Sequence, residues 1–341
     1  MKSNYRYIVK AFMAMAVIAG TTSCDDFLDR EPMSSISPET YYSTAAQLEA
    51  NLNDEYPNVL PSFGQWTYGI FGEDKGTDNQ IEVNANDRYT QDRWKVPHSE
   101  SDNWKFERIY RINFFLSEAL PKFGEDMSGS QNTISGSVAT IKHYIGEMYF
   151  LRAYEYFKKL QLFGDFPIIN QPLADEMEAL REASKRFPRN EVARFIISDL
   201  DKAYAYMSDV DMATTRINKD AAMLVKSRVA LFEATWLQNF KGTAFVPGGE
   251  GWPGASLHNN YQYPSGNIDN EVKYFLEQAV EASKLVADKY KGSLTENTGV
   301  LQQSADDPSN PYFDMFAQED LSDVKLSLIH ISEPTRLQLI S

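Results

Sequence analysis

Six long segments of this chain space their apolar residues as one face of an α-helix does, at positions i, i+3, i+4 and i+7. The longest spans residues 135–163 and places Ile141, Ile145 and Met148 on one face. Gly164, a residue type that commonly ends helices, follows it directly. The other five segments are residues 45–56, 104–120, 190–207, 218–235 and 270–290. No alternating run of apolar and polar residues is long enough to predict a sizeable sheet, so we expect a mainly α fold.

The predicted helices follow one another closely and carry alanine at positions where two helices would cross. This arrangement predicts a tetratricopeptide-like helix-turn-helix scaffold. Two long aromatic-rich loops, at residues 62–103 and 242–266, interrupt the scaffold. Long loops without periodicity are commonly functional or disordered, and disordered segments rarely keep so many aromatic residues. We therefore expect these loops to bind a ligand.

Residues 1–23 have the layout of an export signal peptide, with a basic start and an apolar run that is too short for a permanent membrane span. Cys24, the only cysteine, follows small residues as in the lipobox of bacterial lipoproteins. We expect lipidation of Cys24, for example with palmitate, and membrane anchoring; a free thiol after ordinary cleavage is the alternative. Asp25 and Asp26 resemble the surface-export signal of Bacteroidetes lipoproteins, or they simply begin a solvated tether over residues 24–40.

The segment LSLIHISEPTR at 326–336 has no amphipathic period. It looks like the in-frame translation of a transposase adapter that is used to prepare sequencing libraries. We expect the natural sequence to depart from this one near Lys325, so that residues 326–341 form a non-native tail. The folded helical domain is then expected over residues 41–325.

Charge and cysteine content exclude several classes of function. A net charge of −15 repels polyanions, so nucleic acid is not expected as a partner. A single cysteine permits neither an intramolecular disulfide nor a zinc or iron–sulfur site built from cysteines, and the chain has no HExxH run, so no metal site is predicted. The chain also lacks GxSxG and phosphate-loop motifs, so neither a catalytic residue nor a cofactor is predicted.

Four segments of the chain follow a pattern known from one protein family. They are CDDFLDREP at 24–32, GEMYFLRAYEYFKKLQLFGDFPII at 146–169, IISDLDKA at 196–203 and RINKDAAMLVKSRVALFEA at 216–234. Together they resemble the SusD/RagB family of nutrient-binding outer-membrane lipoproteins. The residues of the longest segment expected to be core and helix-pairing groups, not ligand contacts, are Arg152, Tyr154, Tyr156 and Phe157. Because members of this family are usually much longer, most of the family's C-terminal region is expected to be missing here.

The resemblance implies a lipid-anchored protein on the outer face of the cell outer membrane. It would serve nutrient uptake by capturing oligosaccharides, or peptides in some members, and passing them to a SusC-like TonB-dependent transporter. Sugar rings stack on aromatic side chains and their hydroxyl groups need polar partners, and the two loops contain both kinds of residue. The predicted ligand-binding residues are Trp66, Trp94 and Trp252 for stacking and Asp78, Asn79 and Asn86 as polar partners.

The competing interpretation is a surface enzyme that degrades glycans. Glycoside hydrolysis commonly needs two carboxyl groups at a fixed separation. Acidic residues are so common in this chain that an adjacent pair such as Glu73 and Asp74 indicates nothing by itself. A purely structural scaffold is a third interpretation, but it leaves the aromatic loops unexplained. We therefore predict a carbohydrate-binding protein and not an enzyme.

Overall fold

The computed structural model describes most of the predicted helical domain. The described residues are 41–61, 103–124, 126–208, 212, 216–292, 295, 297–301, 304, 307–312 and 314. The predicted signal peptide, tether and non-native tail lie outside the described residues, and so does Cys24. The expectations for these segments therefore stay predictions.

Helices account for nearly all the regular structure of the described residues. The α-helices are α1 Ala45–Val59, α2 Glu107–Phe123, α3 Val138–Phe163, α4 Met177–Ala183, α5 Arg189–Tyr206, α6 Lys219–Asn239 and α7 Ile268–Tyr290. A short 3-10 helix, Pro253–Ser256, lies between α6 and α7. The described part contains no β-strand, only two isolated bridges. The predicted mainly α fold is confirmed, and α4 is the one α-helix among the described residues that the sequence did not predict.

Local sequence sets where several helices begin and end. Thr44 and Gln47 form a capping box at the start of α1: Thr44 Oγ1 accepts the Gln47 N–H at 3.3 Å, and Gln47 Oε1 accepts the Thr44 N–H at 3.0 Å. Asn218 caps α6 by accepting the Ala221 N–H at 2.9 Å. Gly164 ends α3 with a φ of 70°, a conformation that glycine adopts without steric cost.

Helices that are close in the sequence pack against one another. α3 contacts α1, α2 and α5, while α5 packs on α6 and α6 packs on α7. This is the stacked arrangement of helix pairs in a tetratricopeptide-like scaffold. One continuous core of buried apolar side chains extends from Tyr42 to Val286. None of the helices in the described ranges combines the length and apolar character needed to cross a membrane.

A buried arginine joins three of these helices. Arg152 on α3 donates to the two carboxylate oxygens of Asp199 on α5 at 2.6 and 2.8 Å, and to Asn113 Oδ1 on α2 at 2.9 Å. All three residues are at most 3% exposed. We call Arg152, Asp199 and Asn113 the scaffold cluster. The family-signature residues expected to be structural are buried or half-buried, and these are Arg152, Tyr154, Tyr156 and Phe157.

Candidate functional site

A groove of about 510 Å³ opens where the C-terminal end of α3 meets the loop between α6 and α7. Its volume lies within the range of roughly 300–1,000 Å³ that is typical of small-molecule sites. The lining residues are Gln161, Leu162, Phe163, Gly164, Asp165, Arg186, Arg189, Trp236, Ala244, Phe245, Trp252, Pro253, Gly254 and Leu257. We call this cavity the aromatic groove.

The loop that forms one wall of the aromatic groove is held by local contacts. Trp236 Nε1, on α6, donates to the Phe245 carbonyl at 3.0 Å and so ties the loop to the helix. Gly249 turns the chain back so tightly that a Cβ at this position would lie 1.9 Å from the Thr243 carbonyl oxygen. Only glycine fits there without a change of backbone. The shape of the loop is therefore set by contacts within the protein.

Behind the groove, a series of hydrogen bonds joins the loop to the helix ends. Trp252 Nε1 donates to Asp165 Oδ2 at 2.7 Å, and the backbone N–H of Arg189 donates to Asp165 Oδ1 at 2.8 Å. The Arg189 guanidinium donates to Glu233 Oε1 at 3.0 Å and to Glu233 Oε2 at 2.9 Å. We call Asp165, Arg189, Glu233 and Trp252 the groove cluster. It connects the end of α3, the start of α5 and the middle of α6 to the loop.

Burial makes both carboxyl groups of the groove cluster weaker acids than usual. It raises the pKa of Asp165, against the opposing effect of hydrogen bonds from Trp252 and the Arg189 N–H. Complete burial also raises the pKa of Glu233, against the opposing effect of the Arg189 guanidinium. Hydrogen bonds within the cluster offset the free-energy cost of burying these two carboxyl groups. The same hydrogen bonds fix the positions of the donors, Arg189 and Trp252.

The surface that a ligand would meet in the groove is mainly aromatic. Phe245 is 61% exposed. Trp236 is half-buried, and the Arg189 guanidinium lies 4.0 Å from its ring centroid. Arg186 is exposed, and its guanidinium lies over the Trp104 ring at 4.6 Å from the centroid. The groove thus offers aromatic carbon for stacking and guanidinium N–H groups for hydrogen bonds.

A second cavity, of about 320 Å³, lies beside α2 and α4. Its lining residues are Phe106, Ile109, Tyr110, Ile169, Gln171, Leu173, Asp175, Leu180 and Ser184. We call it the apolar groove. Tyr110 is 50% exposed and Leu180 is 41% exposed, so the groove presents hydrocarbon to the solvent. It offers few hydrogen-bond partners to the hydroxyl groups of a sugar.

Trp252 is the one predicted ligand-binding residue that falls in the described part of the chain. It lies in the wall of the aromatic groove but is only 5% exposed. Its indole N–H is bound to Asp165, and its ring stacks on the His258 ring at a centroid distance of 5.9 Å. Its contact with a ligand stays a prediction. The other five lie outside the described residues: Trp66, Asp78, Asn79, Asn86 and Trp94.

Three residues of the groove were not selected from the sequence. Trp236 falls at a helical position of α6, where an aromatic residue usually belongs to the core. Phe245 lies in the loop that was predicted to bind ligand, so the aromatic composition of that loop could have identified it. No pattern in the sequence identifies Arg186 as a groove residue, because its place in the groove depends on how the segment between α4 and α5 packs.

The chemistry that these residues support is noncovalent binding. In the lining of the aromatic groove, Asp165 is the single carboxyl group among the described residues, and both of its oxygens accept hydrogen bonds from the protein. The described ranges contain no group of three or more His, Cys, Asp or Glu that could hold a metal ion. Stacking and hydrogen bonding are what the described geometry offers to a ligand.

Comparison with known proteins gives consistent results for the family. The model of the SusD-like family, described as starch-binding and associating with the outer membrane, matches residues 26–231. SusD-like protein P25 of Formosa agariphila is 25% identical over 233 residues, which are 63% of this chain and 41% of that protein. SusD-like protein P2 of the same organism is 25% identical over 253 residues, which are 71% of this chain and 46% of that protein. The chain spans less than half the length of these relatives.

Two solved structures are also similar to this chain, at low identity. A laminarin-binding SusD-like protein is 16% identical with a TM-score of 0.35, over 57% of this chain and 30% of that one. A SusD-like carbohydrate-binding protein from Bacteroides vulgatus is 13% identical with a TM-score of 0.44, over 76% of this chain and 47% of that one. Because the family model matches more than half of its residues, this chain belongs to the SusD-like family, also called SusD/RagB.

Proposed function

We propose that this chain captures oligosaccharides at the outer face of the outer membrane and delivers them to a SusC-like TonB-dependent transporter. A lipid on Cys24 would hold it at the membrane. The family is described as starch-binding and as associating with the outer membrane, which supports both the ligand class and the compartment. The signal-like segment at residues 1–23 supports export.

The aromatic groove carries the proposal for the ligand. Phe245, which is 61% exposed, presents a ring on which the C–H face of a sugar can stack, and the half-buried Trp236 adds aromatic carbon to the same wall. Arg186 and Gln161, both exposed, can donate hydrogen bonds to sugar hydroxyl groups. Because the groove cluster fixes the wall before ligand binds, little order has to be created on binding.

Capture is favoured over hydrolysis at this groove. Retaining and inverting glycosidases commonly place two carboxyl groups on either side of the scissile bond, about 5 to 9.5 Å apart. The described lining offers only Asp165, and its oxygens are bound to Trp252 and Arg189. A reducing-sugar assay separates the two functions. Sustained product release from any bound glycan would assign an enzyme instead.

Isothermal titration calorimetry with maltoheptaose, laminarihexaose and acidic oligosaccharides tests the proposed capture. At least one of these glycans is expected to bind, and Phe245→Ala is expected to weaken that binding roughly tenfold through loss of a stacking face. Tyr110→Ala is the matched control, because it removes an aromatic side chain that is 50% exposed from the apolar groove. Loss of affinity in Tyr110→Ala alone would move the site to the apolar groove.

Two other outcomes of the calorimetry are decisive. If no glycan binds but a mixture of short peptides does, the ligand is a peptide, the alternative class known for the family. If neither class binds to the folded protein, the capture function is wrong. Helical circular dichroism of each variant separates a loss of binding from a loss of fold.

Anchoring and orientation need experiments of their own. Metabolic labelling with radioactive palmitate is expected to label the wild type but not Cys24→Ala. Digestion of intact cells with a protease is expected to degrade the protein if it faces the exterior. Co-purification with a TonB-dependent transporter after mild solubilisation tests the partner. A labelled Cys24→Ala variant would disprove the anchor at this residue.

A further inference from the structure

Arg186 occupies an unusual electrostatic position in the aromatic groove. The chain has 33 basic and 48 acidic residues, and other basic residues near the groove have carboxylate partners. Arg189 pairs with Glu233 at 2.9 Å, and Lys185 pairs with Glu182 at 2.5 Å. Arg186 lines the groove and is exposed, yet no carboxylate in the described part of the chain lies within ion-pair distance of it. Its guanidinium is therefore available to a ligand.

The polypeptide around Arg186 is held in place on both sides. Its carbonyl accepts the His258 Nε2–H at 2.8 Å. The next residue, Phe187, exchanges two backbone hydrogen bonds with Phe166, at 3.0 and 3.2 Å. The guanidinium lies over the Trp104 ring, 4.6 Å from its centroid. The planar fork of Arg186 is thus positioned at the groove before a ligand arrives, which lowers the entropic cost of binding.

Asp165, the carboxyl group that also lines the groove, has other partners. One of its oxygens accepts the backbone N–H of Arg189, and the other accepts the indole N–H of Trp252. Burial raises the pKa of Asp165, and the positive charge of Arg186 is among the effects that oppose this rise. Asp165 thus interacts electrostatically with Arg186 but forms no ion pair with it, and both of its oxygens already accept hydrogen bonds from the wall, so the exposed Arg186 donors face the groove.

We infer that the aromatic groove prefers oligosaccharides that carry an isolated acidic group, with Arg186 binding the anionic substituent. One local cation favours a single anionic substituent, whereas the net charge of −15 disfavours densely charged polyanions. A guanidinium presents two parallel N–H donors that match two oxygens of a carboxylate or a sulfate. Phe245 and Trp236 supply the aromatic surface for the sugar ring itself. This inference rests on the proposed function, because it names the class of glycan that the same groove takes.

Calorimetry with three oligosaccharides of similar length tests the preference. The probes are neutral maltohexaose, maltohexaose that carries a single carboxylate and maltohexaose that carries a single sulfate. The wild type is expected to bind at least one acidic probe roughly tenfold more tightly than maltohexaose, because a charge-assisted pair adds to stacking. The more tightly bound acidic probe identifies the substituent as carboxylate or sulfate.

Three variants assign the preference to Arg186. Arg186→Gln is expected to abolish it, and Arg186→Lys is expected to keep only part of it because an ammonium lacks the planar fork. Lys185→Gln removes the same charge one position away, from a side chain that does not line the groove, and is expected to leave the preference unchanged. If Arg186 serves only to cover Trp104, its substitution would lower thermal stability without changing the preference.

The outcomes separate this inference from the proposed function. Equal affinity of the wild type for the neutral and acidic probes would overturn the preference and leave glycan capture standing. An unchanged preference in Arg186→Gln would overturn the role of Arg186. If the folded wild type bound none of the three probes, nor the neutral glycans of the earlier titrations, both proposals would be wrong.

Discussion

The scaffold cluster and the groove cluster share the same chemistry but lie in different surroundings. In each, a buried arginine donates two hydrogen bonds to a buried carboxylate: Arg152 to Asp199 in one and Arg189 to Glu233 in the other. No member of the scaffold cluster lines the aromatic or the apolar groove. The groove cluster continues through Asp165 to Trp252 in the groove wall.

A buried arginine–carboxylate pair therefore does not by itself distinguish a cluster beside a cavity from one within the helical core. Buried ion pairs are weak evidence for net stability, although breaking one is costly. What distinguishes the two clusters is their surroundings. Arg189 lies against Trp236, which is half-buried and lines a cavity. Matched substitutions in the two clusters should therefore have similar effects on folding and different effects on binding.

The largest effect on folding is expected from Asp199→Asn in the scaffold cluster. The amide cannot balance the charge of Arg152, so the free energy of unfolding should fall by about 3 to 5 kcal/mol. Chemical denaturation followed by circular dichroism measures this change. Glycan affinity per folded molecule should stay the same. A weaker affinity in the folded variant would remove the distinction between the two clusters.

A somewhat smaller loss of stability is expected from Glu233→Gln in the groove cluster. Glutamine leaves the Arg189 charge unpaired, but Glu233 is itself costly to bury as an anion, so the loss should be about 3 kcal/mol. Affinity for the glycan that the wild type binds should also fall roughly tenfold, because Arg189 no longer fixes the Trp236 wall. Denaturation and calorimetry on the same sample measure both effects. Unchanged affinity would show that both clusters act only as scaffold.

Asp165→Asn is a milder test of the same link. An asparagine oxygen can still accept the Arg189 N–H, but its amide nitrogen cannot accept the indole N–H of Trp252. Leaving the buried indole N–H of Trp252 without a partner should lower the free energy of unfolding by about 1 to 3 kcal/mol. Thermal unfolding measures the cost, and tryptophan fluorescence reports any change around Trp252. Wild-type stability in this variant would show that the hydrogen bond contributes nothing to the wall.

The smallest effect expected is a difference in how stability depends on pH. Burial raises the pKa of Glu233, so its contribution to folding is present below its unfolded pKa and is lost as pH rises through its folded pKa. For Glu271 on α7, burial is outweighed by hydrogen bonds from Arg194, Asn190 and Ser265, and the pKa is lowered. Its contribution is present above its unfolded pKa and is lost as pH falls through its folded pKa.

Two variants measure this difference. The gap in unfolding free energy between the wild type and Glu233→Gln should widen as pH falls from 7 toward the unfolded pKa of glutamate. The gap between the wild type and Glu271→Gln should shrink once pH falls below that value. Denaturation curves in a series of buffers measure both gaps. If both gaps widened or both shrank as pH falls, the opposite directions of the Glu233 and Glu271 pKa shifts would be contradicted.

The helices could be predicted from the sequence because their apolar periodicity reflects burial along one face. The exception, α4, is seven residues long and has no buried residue, so it produces no such pattern. The aromatic groove could be predicted only in part. Loop composition pointed to Trp252, but its position depends on Asp165, which is 87 residues away in the sequence. Arg186 and Trp236 belong to the groove only because separate segments pack together, which periodicity does not encode.

The loop between α6 and α7 lies outside the segment that assigns the family. The family model matches residues 26–231 and ends before Trp236, Phe245 and Trp252. The helices that define membership are thus largely separate from the loop residues that shape the groove. Gly249 and the Trp236–Phe245 hydrogen bond shape this loop, and the Trp252–Asp165 hydrogen bond joins it to the end of α3. Substitutions among the loop residues that line the groove would therefore change the proposed site without changing the segment that assigns the family.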